Sequence, residues 1–264
     1  MSLLQSNPPK VVTLLTDFGL KDHYAGVVKG RILQELYGYP YPLFIDLSHE
    51  IPPQDVKKAA LLLKFSYKYF PEGTIFLCIV DPGVGTERRA LLLKTEKFSF
   101  VGPDNGLFTF ILRESQTSEA FEILKEKLLS FPYSATFHGR DLFAPAVALL
   151  LKSESIEDWT RVISKESLLQ LDFPEPEPVS SGFRLSIWYV DHFGNLITNW
   201  EKTFTERPFR VFVNKKEVRL VKTYGDGKEG EVIALFGSEG LLEIAIPNSS
   251  AIQKLGLPEI TISF

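Results

Sequence analysis

Three short apolar runs in the first eighty residues each lead to an aspartate, and the stretches between them have helical spacing. Val11-Val12-Thr13-Leu14-Leu15, Leu43-Phe44-Ile45 and Ile75-Phe76-Leu77-Cys78-Ile79-Val80 have the length and composition of buried strands. Asp17, Asp46 and Asp81 stand at or just past their ends. Residues 25–36 read as a helix, and residues 55–70 carry apolar side chains at 56, 59, 60, 62, 63, 67 and 70, the spacing of a helical face. Strands alternating with helices of this length need crossover connections, so an α/β fold with a mainly parallel sheet flanked by helices is predicted. Ligands of such sheets bind beyond the carboxyl ends of the strands, where the three aspartates lie.

The next segments complete this domain. Residues 90–94 and 98–101 form a predicted hairpin, followed by the turn Gly102-Pro103-Asp104-Asn105-Gly106 and helical stretches at 107–113 and 141–151. The pattern then breaks at Asp172-Phe173-Pro174-Glu175-Pro176-Glu177-Pro178. Three prolines alternating with acids favour an extended chain and cannot occupy a central strand. The expected organisation is therefore an α/β domain over 1–172, a linker over 173–182 and a smaller domain over 183–264. Short β-like runs at 185–190, 210–213, 218–221, 232–236 and 242–246 make the last an all-β, barrel-like domain.

Charge and cysteine content narrow the function classes. Thirty-three acidic and 29 basic residues leave a net charge of −4, which gives no long-range attraction to nucleic acid or anionic lipid. No apolar run approaches the roughly 20 residues that cross a bilayer. The single cysteine permits no intrachain disulfide, and the first ten residues are polar with no apolar signal segment. A cytoplasmic enzyme acting on a small molecule, without nucleic-acid or membrane partners, is the expectation.

Several motifs carry candidate chemistry. In Asp81-Pro82-Gly83-Val84-Gly85-Thr86-Glu87-Arg88-Arg89 two glycines permit a tight turn, and Asp81 can pair with Arg88 across it. The Gly-Lys-Ser/Thr ending of a phosphate loop is absent. His138, in Phe137-His138-Gly139-Arg140-Asp141, stands beside a carboxylate that can tune it near neutral pH, while Asp141 either shares in this or caps the following helix. Close metal-binding spacings of His and Cys are absent, so no metal is assigned. Asp17 and Asp22 lie after the first strand, where a carboxylate such as Asp17 can accept bonds from both hydroxyls of a ribose. In Asp191-His192-Phe193-Gly194-Asn195, Asn195 can read a purine edge and Phe193 can stack on a base. The alternative is a loop stabilised by its own Asx side chains.

Taken in order, Leu-Leu-Thr-Asp-Phe-Gly (14–19), Asp-Pro-Gly-Val-Gly-Thr (81–86), Gly-Pro-Asp-Asn-Gly-Leu (102–107), Phe-His-Gly-Arg-Asp (137–141) and Phe-Gly-Asn (193–195) resemble the S-adenosyl-L-methionine (SAM) hydroxide adenosyltransferases. The resemblance spans about residues 10–252. It implies hydrolysis of SAM to adenosine and methionine, with no cofactor, in a homotrimer whose sites lie at subunit interfaces. On this resemblance Asp81, Arg88 and His138 match the water-activating triad, Asp17 the ribose-binding aspartate and Asp22 a second acidic position. Asp191 would hold the methionine ammonium, Phe193 and Asn195 would line the adenine pocket, and Ser238 would meet the methionine carboxylate. The related halogenases lack the Asp-Arg-His set and carry arginine where this chain has Glu239. Two other readings stay open at this point, a metal-dependent nucleoside or nucleotide hydrolase and a non-catalytic SAM or adenosine sensor.

Overall fold

Every side chain of β1 (Val11–Thr16) is buried, because the strand lies inside a sheet covered on both faces. A computed structural model describes residues 10–115, 117–129 and 132–264, and the chain divides after Leu171 into two units. The polar stretch 1–9, read above as lacking a signal segment, lies outside the described residues. Among them, no helix is long and apolar enough to cross a membrane.

In the first unit, α1 (Tyr24–Glu35) leads from β1 to β2 (Leu43–Ser48), and α2 (Val56–Ser66) leads on to β3 (Ile75–Ile79). Asp55 starts α2 by accepting a bond from the Lys58 amide at 2.9 Å. The unit continues through β4 (Ala90–Thr95), β5 (Ser99–Pro103), α3 (Thr109–Glu114), β6 (Ser118–Ile123), α4 (Lys125–Leu128), α5 (Ala144–Lys152) and β7 (Thr160–Ile163). The sheet order is β2-β1-β3-β5-β4-β6-β7.

Period-two alternation divides the core into two layers. Leu77 and Ile79 face α1 and α5 with Val28, Ile32 and Val147, whereas Phe76 and Cys78 face α2 and α3 with Leu63 and Ile111. Cys78 is fully buried, and burial pushes its thiol well up from the ordinary range.

The expectation of a mainly parallel sheet needs correction, since the sheet is mixed. Pairings β1–β2, β1–β3 and β3–β5 are parallel, while β4–β5, β4–β6 and β6–β7 are antiparallel. The cause is the tight β4–β5 hairpin, closed by the Thr95 amide on the Phe98 carbonyl at 2.9 Å. So short a connection can only reverse the chain. The predicted helix at 141–151 is also modified: a π-helical turn, Gly139–Phe143, precedes α5.

The turn after β5 braces the end of β3. A methyl group at Gly102 would lie 2.3 Å from the Cys78 carbonyl oxygen, so only glycine allows this approach. Asn105 donates from Nδ2 to the Val80 carbonyl at 2.8 Å, directly before Asp81. The buried Asp104 carboxylate accepts from Arg89 Nε at 2.8 Å and from the Leu169 amide at 3.0 Å. The Gly-Pro-Asp-Asn-Gly-Leu motif thus holds the strand end that delivers Asp81.

The second unit contains β8 (Glu177–Val179), β9 (Gly182–Leu185), β10 (Ile187–Val190), β11 (Leu196–Glu201), β12 (Arg210–Val213), β13 (Lys216–Leu220), β14 (Ile233–Phe236), β15 (Leu241–Ala245), α6 (Ala251–Leu255) and β16 (Ile260–Ser263). It is β-rich, in the order β10-β11-β15-β14-β13-β12-β16-β9-β8, and only β13–β14 pair in parallel. Its core gathers Leu196, Trp200, Val211, Leu242, Ile244 and Ile262. The stretch expected as a linker enters this sheet, its second half forming β8 at the edge, where proline is tolerated.

Asp104→Ala removes one side of a buried ion pair and strands the Leu169 amide. A loss of about 2–4 kcal/mol in unfolding free energy is expected, to be measured by urea denaturation against the wild-type chain.

Candidate active site

The loop following β3 is shaped by its own backbone. The Val84 amide bonds the Asp81 carbonyl at 3.2 Å, and the Thr86 hydroxyl bonds the Gly83 carbonyl at 2.7 Å. Gly85 has φ of +80°, and a methyl there would come within 2.9 Å of the Ala135 carbonyl oxygen. Lys125 ties the loop from outside, donating to the Thr86 carbonyl at 3.0 Å. This fold-back carries Arg88 to Asp81.

The two side chains form a nearly closed ion pair. Arg88 Nε lies 3.0 and 3.1 Å from the two Asp81 carboxylate oxygens, and Nη2 bonds Oδ2 as well. The side chains are only 9% and 6% exposed. Burial at this depth demands pairing, because either charge alone would carry its full desolvation cost. The guanidinium also packs over the Phe143 ring at 5.1 Å. Arg88 Nη1 is buried without a hydrogen-bond partner among the described residues.

Arg88 fixes the state of His138 as well. Its Nη2 lies 3.1 Å from His138 Nδ1. A guanidinium has only donors, so Nδ1 must present its lone pair. The proton of the neutral ring then resides on Nε2, which is left as a donor. His138 is 4% exposed. Burial, then the nearby Arg88 and Lys125 charges, hold its pKa below the usual imidazole value, partly opposed by Asp81 and Asp141.

Asp81 and His138 line a cavity of about 260 Å³ together with Asp17, Phe18, Gln54 and Thr136. Arg88 stands behind them and is not on this wall. Asp17 Oδ2 accepts from the Gln54 amide at 2.8 Å. Gln54 has φ of +67°, a left-handed backbone that is uncommon without glycine. Gln54 and Thr136 escaped the sequence reading, and the only signal available for Gln54 was its place after Pro52-Pro53.

Other candidates lie elsewhere. Asp22 is exposed and outside this wall. Asp46 is within β2 rather than beyond it, paired with Lys29 at 2.6 Å. Asp141 makes no side-chain cap; it pairs with Arg140 and accepts from the Ser134 amide at 2.8 Å, which fastens the approach to His138. Among the described residues, no group of three or more His, Cys, Asp or Glu side chains is placed to hold a metal ion.

The second unit has its own cavity, of about 900 Å³, and Asp191, Phe193, Asn195 and Ser238 all line it. Asp191 Oδ1 accepts from the Asn195 amide at 2.8 Å and Oδ2 from Asn195 Nδ2 at 2.9 Å. The Asx-stabilised loop therefore exists, and it uses the side-chain nitrogen of Asn195 rather than the side-chain carbonyl. Phe193 is 74% exposed at this cavity. Ser238 donates to Glu239 Oε1 at 2.9 Å. Glu243, which the sequence reading missed, lines the floor and accepts from the Tyr224 hydroxyl at 2.6 Å.

Comparison with known proteins matches both units. Residues 12–160 fit the model of the SAM hydroxide adenosyltransferase N-terminal domain, and residues 185–260 fit that of the C-terminal domain. An (R)-S-adenosyl-L-methionine hydrolase of Thermus thermophilus is 39% identical over 257 residues, covering 94% of this chain and 96% of the relative. A fluorinase of an Actinoplanes species is 25% identical, covering 92% of each chain. A crystal structure of an uncharacterized conserved protein from Thermotoga maritima superposes with a TM-score of 0.81 at 36% identity, covering 95% of this chain and 99% of that one.

Nitrogen NMR of imidazole-labelled protein tests the His138 arrangement. At pH 7 the ring should be neutral, with a non-protonated Nδ1 and a protonated Nε2. Because the folded pKa is lowered, the unfolded chain binds the proton first, so this contribution to stability is complete above the ordinary imidazole pKa and declines as pH falls through it. A protonated Nδ1 at neutral pH would overturn the assignment.

Proposed function

Because this chain belongs to the SAM hydroxide adenosyltransferase family, we propose that it is an enzyme hydrolysing S-adenosyl-L-methionine to adenosine and L-methionine. The observation that carries this reading is the Asp81–Arg88–His138 constellation, with two of its members on the wall of the first unit's cavity.

The sulfonium makes methionine a good leaving group, so the protein has no need to protonate it. What is required is an oxygen nucleophile held in line behind the ribose C5′. The C5′–S bond breaks with its electron pair going to sulfur as the C5′–O bond forms. Asp81 supplies the carboxylate that takes the proton from water, and His138 donates from Nε2 to the water oxygen, orienting it. Arg88 is a positioning residue: it fixes Asp81 and the His138 tautomer, and its charge favours the developing hydroxide. Asp17 accepts bonds from the ribose hydroxyls. The Asp81 carboxylate also repels a halide, which separates this chemistry from that of the fluorinase relative.

In the second unit, Phe193 and the Asn195 carbonyl receive the adenine, and Asp191 receives the methionine ammonium. We place the two cavities together across subunit contacts of a homotrimer, with the amino-terminal unit of one chain facing the carboxyl-terminal unit of its neighbour. Light scattering that finds a monomer under active conditions would contradict this assembly.

Incubation with SAM and chloride in heavy-oxygen water should give adenosine labelled at the 5′-oxygen, read by mass spectrometry. Asp81→Asn should lower kcat by about 10²–10⁴-fold with little change in the calorimetric affinity for SAM. Unlabelled adenosine, or equal loss of turnover and binding, would count against the mechanism.

A further inference from the structure

Of the four histidines, two are buried: His138, in the site described above, and His49, which the proposed mechanism does not use. The His49 side chain is 1% exposed. A ring buried so deeply needs partners for both nitrogens. Its Nδ1 lies 2.7 Å from the Thr16 hydroxyl. Its Nε2 lies 3.1 Å from Asp46 Oδ1, off the line of an ideal hydrogen bond. A carboxylate offers acceptors only, so Nε2 carries a proton. In the neutral ring Nδ1 then accepts from the Thr16 hydroxyl, whose oxygen accepts from the Phe18 amide at 3.3 Å. The donors run in one direction, from the Phe18 amide to the Asp46 carboxylate, whose charge Lys29 balances at 2.6 Å.

A slip in strand register builds this chain of contacts. Strands β1 and β2 pair Leu14 with Asp46 but Leu15 with Ser48, which leaves Leu47 as an extra residue. One step further on, His49 rather than Ser48 stands opposite Thr16. Irregularities of this kind re-aim side chains and gather beside active sites. What the chain grips is the turn that carries Asp17. Thr16 and Phe18 flank that residue, and the amide of Gly19 bonds the His49 carbonyl at 2.7 Å. The Asp17 side chain lines the first unit's cavity and is held by the Gln54 amide alone. Its neighbours on both sides are tied to His49, which is itself outside the cavity wall.

We infer that His49 is the positioning residue for Asp17, and that the Thr16–His49–Asp46 chain sets how strictly the first cavity reads the ribose hydroxyls. This rests on the reading of Asp17 as the ribose acceptor of the proposed hydrolase. A carboxylate tells a hydroxyl from a hydrogen only while its oxygens are held within hydrogen-bonding reach. A displacement of about 1 Å forfeits much of what a positioned group supplies. His49 acts through the backbone of residues 16–19 and touches neither the ribose nor the attacking water. Without it, the carboxylate stays on the cavity wall but loses its fixed aim.

The test compares SAM with its 2′-deoxyribose form in calorimetry and in turnover. The wild-type protein should bind SAM at least about tenfold more tightly, the scale of one hydrogen bond to a charged group. His49→Leu should cut that ratio to about twofold by weakening SAM, with the 2′-deoxy compound nearly unaffected. His49→Asn, whose amide can meet the Thr16 hydroxyl, should keep much of the ratio. Thr16→Val breaks the chain with little change of shape and should lower the ratio too, should His49→Leu impair folding. In an Asp17→Ala background, His49→Leu should lower the ratio no further. A ratio that neither His49→Leu nor Thr16→Val moves overturns the inference, as does an equal loss for both compounds, which a merely structural residue would give. A wild-type protein that binds neither compound sinks the hydrolase reading and this inference with it. If it binds and discriminates but releases no adenosine from SAM, only the hydrolase reading falls, and the ratios still decide the part of His49.

Discussion

The guanidinium of Arg88 is the constraint around which the first unit's site is organised. It is a buried charge that bonds both oxygens of Asp81 and the Nδ1 of His138, and it rests on Phe143. These contacts span three separate parts of the chain: the end of β3, the glycine turn after it and the π-helical turn before α5. Each part must arrive in register, because a buried ion pair with one partner displaced is worse than none. The supporting devices follow from that demand. Asn105 holds the Val80 carbonyl, Lys125 ties the glycine turn, and Asp141 fastens the approach to His138.

The same guanidinium narrows the hydrogen-bonding state of His138, which residue types alone leave open. A histidine near a carboxylate can serve as base, acid or hydrogen-bond donor. Here the donor-only character of arginine removes Nδ1 from proton traffic while the pair persists, and the lowered pKa keeps the ring neutral. In the proposed mechanism the part of base accordingly goes to Asp81. The proposed division of labour rests on one 3.1 Å contact.

Much of this was legible in the sequence, for physical reasons that differ by segment. Strands β1 and β3 are central and buried on both faces, so they read as unbroken apolar runs. Strands β6 and β7 are not: Ser118-Glu119-Ala120-Phe121-Glu122-Ile123 is interrupted by acids, and β7 leaves Arg161 and Val162 exposed. These two strands, where sequence contrast is weakest, were not predicted at all, and they extend the antiparallel part that the β4–β5 hairpin begins. Asp81, Arg88 and His138 were legible because short motifs placed them beside turns. Glu243 was not, since Leu241-Leu242-Glu243-Ile244-Ala245 reads as a core strand. Its signal was the lone carboxylate in an otherwise apolar run, a placement that is expensive without purpose. The π-helical turn Gly139–Phe143 left no trace in the apolar spacing, which reads as continuous helix.

The proline-rich segment that begins the second unit has a further consequence, for the edge of its sheet. In β8, Val179 and Gly182 flank a two-residue turn and Pro178 opposes Phe183. The pair adjoining such a turn is the doubly bonded one, so the nitrogen of Pro178 points away from β9, toward the open side of the row. That nitrogen has no hydrogen to offer. An extended segment of another molecule approaching this edge would find its ladder interrupted at the first step. Pro178 thus closes this one edge of the nine-strand row to a further strand.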